Sequence, residues 1–269
     1  HRVPTLVFEG DFHQLPPPVN DPKCDARFST FWNLLNAIEL VGQHRSSDNG
    51  LTLFAKSIRL CRPNQDFIDQ HLESCMIGNQ LTEEVVHAAW ASTPNVMILA
   101  ATRATVATVN AFALAFFGGL ALSAIPVWVD TLTCMIVFRH GNLVRITRNH
   151  DVDQGICNGR CARIVGVLQG GVVLDMGNGC IVLPQRVAWI GNQMVSGFDL
   201  ELGYCTTVHK VEGMTLDKAV VIFERYAPAG WAYTALTRVR SRGDLSIVGW
   251  PRPFHFTPRE LTSVKRNCT

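Results

Sequence analysis

The stretch from Thr215 to Trp250, TLDKAVVIFERYAPAGWAYTALTRVRSRGDLSIVGW, decides the fold. Ala219 to Phe223 is a short apolar, β-branched run that reads as a buried strand. Ala232 to Thr237 begins a helix, and Leu245 to Val248 is a further strand. Strands that alternate with helices argue an α/β sheet, because a parallel pair needs a crossover long enough to hold a helix. The same theme runs upstream. Val96 to Ala101 is an apolar strand followed by Thr102-Arg103 and a long helix. Val3 to Phe8 ends in Gly10-Asp11, as a buried parallel strand does when it delivers polar residues to its carboxyl end, where ligands sit in such sheets. Pro16 to Pro18 then forbids helix or ladder. Helical patterns follow over Arg27 to Leu35 and over Asn49 to Cys61, the second ended by Pro63. Leu143 to Ile190 reads differently: short β runs are punctuated by Asn158-Gly159, Gly170-Gly171 and Asn178-Gly179, which favour hairpin turns. A small all-β insertion inside the α/β domain is the expectation.

Composition sets wide bounds. The 269 residues suffice for about two domains or for one with an insertion, and 47% apolar against 17% charged residues describes a globular chain. A formal charge of +2 neither demands nor excludes nucleic acid, since a groove can be basic on a nearly neutral protein. Nine cysteines, an odd count at irregular spacing, read as reduced thiols of an intracellular protein. Cys157 and Cys161 could be half of a zinc site, but no second pair follows, so no metal site is assigned. Ala104 to Val129 carries no charge and is long enough to raise the question of a membrane span. Thr105, Thr108 and Asn110, the Gly118-Gly119 break and Pro126 argue instead for a buried helix, a turn and a strand. The chain opens with His1 and not Met, directly in the strand-like VPTLVF, which suggests a fragment.

Five segments, in order, carry a resemblance. They are GDFHQLPPPV (Gly10 to Val19), the QHR segment with Arg45, TRNHDVDQGICNGRCARIVGV (Thr147 to Val167), TVHKVEGMTLDKAVV (Thr207 to Val221) and AYTALTRVRS (Ala232 to Ser241). Together they resemble the PIF helicases, a RecD-like branch of superfamily one, over nearly the whole chain from Val3 to Trp250. The resemblance implies a RecA-like, P-loop NTPase-type parallel sheet domain with a small SH3-like β insertion, preceded by the tail of a first RecA-like domain. The expected division is residues 1–35 for that tail, 36–142 and 196–269 for the second RecA-like domain, and 143–195 for the insertion.

The same resemblance assigns the candidate site. Gln14 would sense the γ-phosphate through its amide, where otherwise it would merely cap a turn before the prolines. Arg45 and Arg238 would reach the γ-phosphate from the second domain; a guanidinium suits the task as a permanent charge with a fork of donors, although lone arginines are usually solvated surface residues. Removing Arg238 is expected to spare the fold, with Arg240 and Arg242 facing solvent or DNA. Gly10, Asp11, Glu212 and Gly213 would line the nucleotide. Thr102 and Arg103, at a strand end, and Thr207, His209 and Lys210 would contact the DNA backbone, with a buried histidine bonding the backbone as the plainer account of His209. Three departures stand out. Ser46 replaces a glutamine, and Val211-Glu212 replaces a Ser-Gln pair, placing a carboxylate near phosphates.

No G-x-x-x-x-G-K-[ST] occurs in the 269 residues, so the loop that cradles phosphates, and the acidic residues that hold Mg2+, are expected upstream of His1. The implied function is a 5′-to-3′ ATP-dependent DNA helicase acting with an upstream RecA-like domain on single-stranded DNA and duplex junctions, without membrane association. ATP is its cofactor, with Mg2+ ligands largely outside the chain. Repair, recombination and telomere maintenance are family roles, placed in the nucleus or mitochondrion if the source is eukaryotic. The alternatives are a catalytically inactive single-strand-binding remnant, for example from a mobile element, and an unrelated α/β binding protein.

Overall fold

A computed structural model describes residues 10–16, 29–30, 32, 45–46, 48–94, 96–117, 119–129 and 132–258. The expected strand at Val3 to Phe8, the Pro17-Pro18 end of the proline run and nearly all of the Arg27 to Leu35 helical pattern lie outside the described residues. In chain order the elements are α1 (Asn49–Leu60), α2 (Gln65–Leu72), β1 (Met76–Gly78), α3 (Glu83–Ser92), β2 (Met97–Ala100) and α4 (Arg103–Phe116). Nine strands follow: β3 (Ile125–Val129), β4 (Leu132–Ile136), β5 (Leu143–Ile146), β6 (Cys161–Leu168), β7 (Gly171–Asp175), β8 (Cys180–Pro184), β9 (Arg186–Ile190), β10 (Gln193–Gly197) and β11 (Leu200–Leu202). Then come β12 (Cys205–Thr207), β13 (Ala219–Ile222), α5 (Trp231–Leu236) and β14 (Leu245–Val248).

The chain forms two compact units. The first takes residues up to Leu81, Leu99–Thr102, and everything from Thr207 onward. Its sheet runs β1, β14, β13 and then the Leu99–Ala100 end of β2, with β14 parallel to both β1 and β13. All four residues of β13 are buried, the mark of a parallel strand covered on both faces. α1 starts where the Asp48 carboxylate accepts the Leu51 amide at 3.0 Å, and it buries Leu51, Phe54, Ala55 and Ile58 at one-turn spacing. Phe54 and Phe223 each pack against Phe256, which closes the core beside the sheet. Gly249 follows β14 at φ +82°, where an added Cβ would lie 2.3 Å from the Phe223 carbonyl oxygen, so only glycine ends the strand this way.

The second unit takes Thr82–Ile98 and Arg103–Thr206. α3 is capped by the Thr82 hydroxyl and carries Glu83 and Glu84 in its first turn, favourable against the helix dipole. Trp90 of α3 is fully buried against Phe117 and Tyr204. An antiparallel sheet ordered β11, β5, β6, β7, β8 fills the rest, with the hairpins β3–β4 and β9–β10. The expected turn signals work as turns: Gly159 at φ +88° precedes β6, Gly170 at φ +76° joins β6 to β7, and Gly179 accepts from Met176 between β7 and β8. The uncharged stretch resolves into α4 and β3, and no helix among the described residues is long and apolar enough to cross a membrane.

Candidate nucleotide and nucleic-acid site

The first unit draws together Asp11, Gln14, Arg45 and Arg238. α5 makes this possible. Gly230 caps its start at φ +78°, and a Cβ there would lie 2.8 Å from the His13 carbonyl oxygen and 2.9 Å from that of Gln14. Only glycine lets the backbone of 13–14 sit this close to the helix. Thr234, one turn on, receives the Leu15 amide on its hydroxyl at 3.1 Å and fixes the segment from the other side.

Arg238 follows the end of α5 and is fully buried. Its Nε donates to the Thr234 carbonyl at 2.8 Å. Its Nη groups make longer contacts, to the Val211 and Met214 carbonyls at 3.5 Å each and to the Gln14 Oε1 at 3.4 Å, with Thr237 Oγ1 nearer at 3.1 Å. Burial, and after it the charge of Arg45, lowers its pKa to about 10, so the guanidinium stays cationic at neutral pH. Arg45 is half-buried and donates to the Thr237 carbonyl at 2.9 Å. Two cations therefore converge at the end of α5, one of them desolvated.

The expectation that Arg238 could be removed without touching the fold does not hold physically. Its bond to the Thr234 carbonyl and its longer contact to the Val211 carbonyl are buried, and alanine would remove both together with three part-buried contacts and leave a space in the core, at about 1–3 kcal/mol for any polar group left fully orphaned. Arg240 is exposed, as expected, whereas Arg242 is tied to Asp48, whose Oδ2 takes its amide at 2.8 Å and lies 3.6 Å from its Nε.

Gln14 is oriented by Asp11. Its Nε2 reaches Asp11 Oδ2 at 3.4 Å, which turns its carbonyl oxygen toward Arg238. Asp11 also receives the His13 amide at 3.0 Å, the Tyr233 hydroxyl at 2.8 Å and Arg59 at 3.2 Å. Burial works to raise the Asp11 pKa, but the His13 amide, the Tyr233 hydroxyl, Arg59 and Gln14 outweigh it and hold the carboxyl below its usual range. Burial and the Asp11 charge push the Tyr233 phenol well up, so it stays a donor. Asp11 is thus engaged by donors, one of them cationic, a poor setting for a cation ligand. No group of three or more His, Cys, Asp or Glu that could hold a metal ion occurs among the described residues.

The remaining candidates are spread along the chain. Gly10, Glu212 and Gly213 are exposed, Gly213 at φ +78°, and the Glu212 charge favours the Arg238 cation. Thr207 ends β12 and leads into a short 3-10 turn, Val208–Val211, on which Lys210 is exposed and His209 half-buried. Burial lowers the His209 pKa, so it offers hydrogen bonds as a neutral ring and not as a cation. Ser46 donates to the Arg240 carbonyl at 2.6 Å, a structural use for the residue that departs from the family pattern. Thr102 is half-buried, with its amide and hydroxyl turned to the Glu224 carboxylate, and Arg103 is exposed. Sequence reasoning missed Arg59, Tyr233 and Glu224. Tyr233 lay inside the quoted AYTALTR segment, whereas no local signal marks the other two.

No family model matches the chain. Over 287 aligned residues it is 26% identical to the ATP-dependent DNA helicase PIF1 of Danio rerio, an alignment covering 97% of this chain and 43% of that relative. The fold is similar to the Pif1 helicase of Candida albicans (TM-score 0.69, 20% identity, 93% of this chain and 65% of that one). It is also similar to the Bacteroides Pif1 helicase in complex with ADP-AlF3 and single-stranded DNA (TM-score 0.67, 19% identity, 93% and 63%). The fold is mixed α/β with a parallel sheet, as in these Pif1 structures. The chain is similar in sequence to PIF1 DNA helicases over most of its length, and it spans less than half the length of the curated relatives it matches.

Proposed function

We propose that this chain supplies the γ-phosphate-facing side of an ATP site and part of the single-stranded DNA track of a 5′-to-3′ PIF1-type helicase. The observation that carries the reading is the convergence of buried, cationic Arg238 with Arg45 and the Gln14 amide. An anion set between Arg45 and Arg238 relieves the repulsion between the two guanidiniums and accepts from both, and a terminal phosphate has the oxygens to do so; the Gln14 Nε2 joins as a third donor once the amide turns from Asp11 to the ligand. The long Nη contacts of Arg238 are the ones such a ligand would replace, while the 2.8 Å bond from Nε would keep the fork aimed. Nucleotide binding supplies the phosphoryl chemistry. Gln14, Arg45 and Arg238 would orient the terminal phosphate and stabilise charge on its oxygens. The phosphate-binding loop and the Mg2+ ligands belong, on this reading, to an upstream RecA-like domain.

The DNA track would include Thr102, Arg103, Thr207, His209 and Lys210, and residues 143–195 would be the SH3-like subdomain. The four-part division at residues 35, 142 and 195 is proposed with it. Partners would be single strands and duplex junctions in an intracellular compartment, nuclear or mitochondrial in a eukaryote, in the service of repair, recombination or telomeres. A second reading, a single-strand-binding remnant without turnover, is favoured by Glu212, whose negative charge acts on Arg238 where a phosphate would need the cation to itself.

Fluorescence anisotropy with a labelled oligonucleotide tests the DNA part. The purified chain should bind single strands of unrelated sequence, with affinity falling as salt rises. Absence of binding at low salt, or binding indifferent to salt, would contradict it.

A further inference from the structure

The end of β2 already holds an anion. Glu224, two residues beyond β13, sets its carboxylate against the backbone where β2 passes to α4. Oε1 accepts the Ala101 amide at 3.0 Å and the Thr102 amide at 3.4 Å, and Oε2 accepts the Thr102 hydroxyl at 3.1 Å. Two backbone N–H groups and a hydroxyl clasping two oxygens is also how proteins hold a phosphate of a nucleic-acid backbone. Ala101, Thr102 and Glu224 are half-buried, so the clasp is reachable from solvent. Glu224 is itself held from behind, its carbonyl lying 2.6 Å from His255 Nε2, so only its side chain needs to swing for the seat to change occupant.

We infer that the Glu224 carboxylate is a built-in competitor for the DNA-phosphate seat at Ala101–Thr102, and that single-stranded DNA binds there only by displacing it. This rests on the DNA reading of Thr102 given above and adds a regulatory element to it. A charged carboxylate within the seat repels an incoming phosphate as well as occupying its donors, so the chain binds DNA less tightly than its donors allow.

The test is anisotropy of the 269-residue chain with a labelled single-stranded oligonucleotide at low and moderate salt. Glu224→Gln keeps the shape and an acceptor oxygen for folding while removing the charge, and Glu224→Ala empties the seat. Both should tighten binding several-fold, the alanine variant more. Adding Thr102→Val to either should abolish most of the gain. Asp217→Asn, which removes one exposed carboxylate elsewhere in the same unit, should leave affinity unchanged. Unchanged affinity in both Glu224 variants, beside salt-sensitive binding by the unaltered chain, overturns the inference and leaves the DNA reading standing. An equal gain in Asp217→Asn, or a gain that survives Thr102→Val, overturns it in favour of bulk charge. Binding by neither the unaltered chain nor any Glu224 variant at low salt overturns the inference together with the DNA reading.

Discussion

The cluster around Arg238 and the turn that carries His209 and Lys210 belong to one unit and do opposite things with charge. Arg238 is fully buried, bonded through Nε and both Nη atoms, and aimed by the helix it follows. Lys210 is exposed, and His209 is half-buried with a pKa that burial lowers. A group that must meet charge developing at one place gains from being fixed and desolvated beforehand, because nothing then has to reorganise during the reaction. A group that holds a strand which must also slide gains from staying solvated, where the interaction is weak, long-ranged and tolerant of register. The difference teaches that turnover should depend on geometry in the first region and affinity on charge count in the second.

That contrast can be broken at several strengths. The largest effect is all or none: the purified chain should show no DNA-stimulated ATP hydrolysis above background, since no phosphate-binding loop occurs in its 269 residues. A colorimetric phosphate assay that found turnover from the chain alone would contradict the division of labour. Next comes Gly230→Ala. It forces alanine to φ +78° and drives a Cβ against two backbone carbonyls, so the cluster must shift; about 2 kcal/mol or more of stability should go, read as a midpoint several degrees lower in thermal unfolding. A smaller effect belongs to the DNA side: Arg103→Glu and Lys210→Glu should each weaken single-strand binding several-fold and flatten its salt dependence, without moving the unfolding midpoint. Equal damage to stability would mean that these residues are structural.

The smallest effect is acidic. The Asp11 pKa is depressed in the folded state, so its contribution is present above the ordinary aspartate value of 3.8 and is lost as pH falls through the lower folded value. Asp11→Asn should be less stable than the unaltered chain at neutral pH, and the gap should close as pH falls below 3.8. A gap that is constant across the acid range would show that the carboxylate charge does not hold Gln14 and Tyr233 in place.

How much of this was legible follows the range of the signal. The run from Thr215 to Trp250 announced β13, α5 and β14 because each element's pattern is local, and Leu245–Val248 emerged with the bounds read from sequence. The glycine dipeptides likewise marked the β6–β7 and β7–β8 turns, since positive φ is a local demand. The motif segments named Gln14, Arg45 and Arg238 without saying how they meet. What stayed hidden joins distant residues: Arg59 and Tyr233 reach Asp11 across 48 and 222 positions, and Glu224 reaches Thr102 across 122. No spacing rule links such positions, because the fold alone brings them together. The burial of Arg238 was invisible for the same reason, as an arginine in a short motif reads as a surface charge until the acceptors around it are known.

The most direct test of the central claim is ATP turnover in an enzyme completed by an upstream half with an intact phosphate-binding loop, comparing Arg238 with exposed Arg240. Arg238→Ala should lower turnover by about 10³-fold or more, in the range of other arginine fingers, and Arg238→Lys should rescue little because a point charge cannot reproduce the fork. Unfolding midpoints, measured on the same samples, separate lost chemistry from lost fold. Arg240→Ala should change turnover only a few-fold. If Arg240→Ala proved as damaging as Arg238→Ala, or if folded Arg238→Lys enzyme turned over normally, Arg238 would not be the group that faces the terminal phosphate.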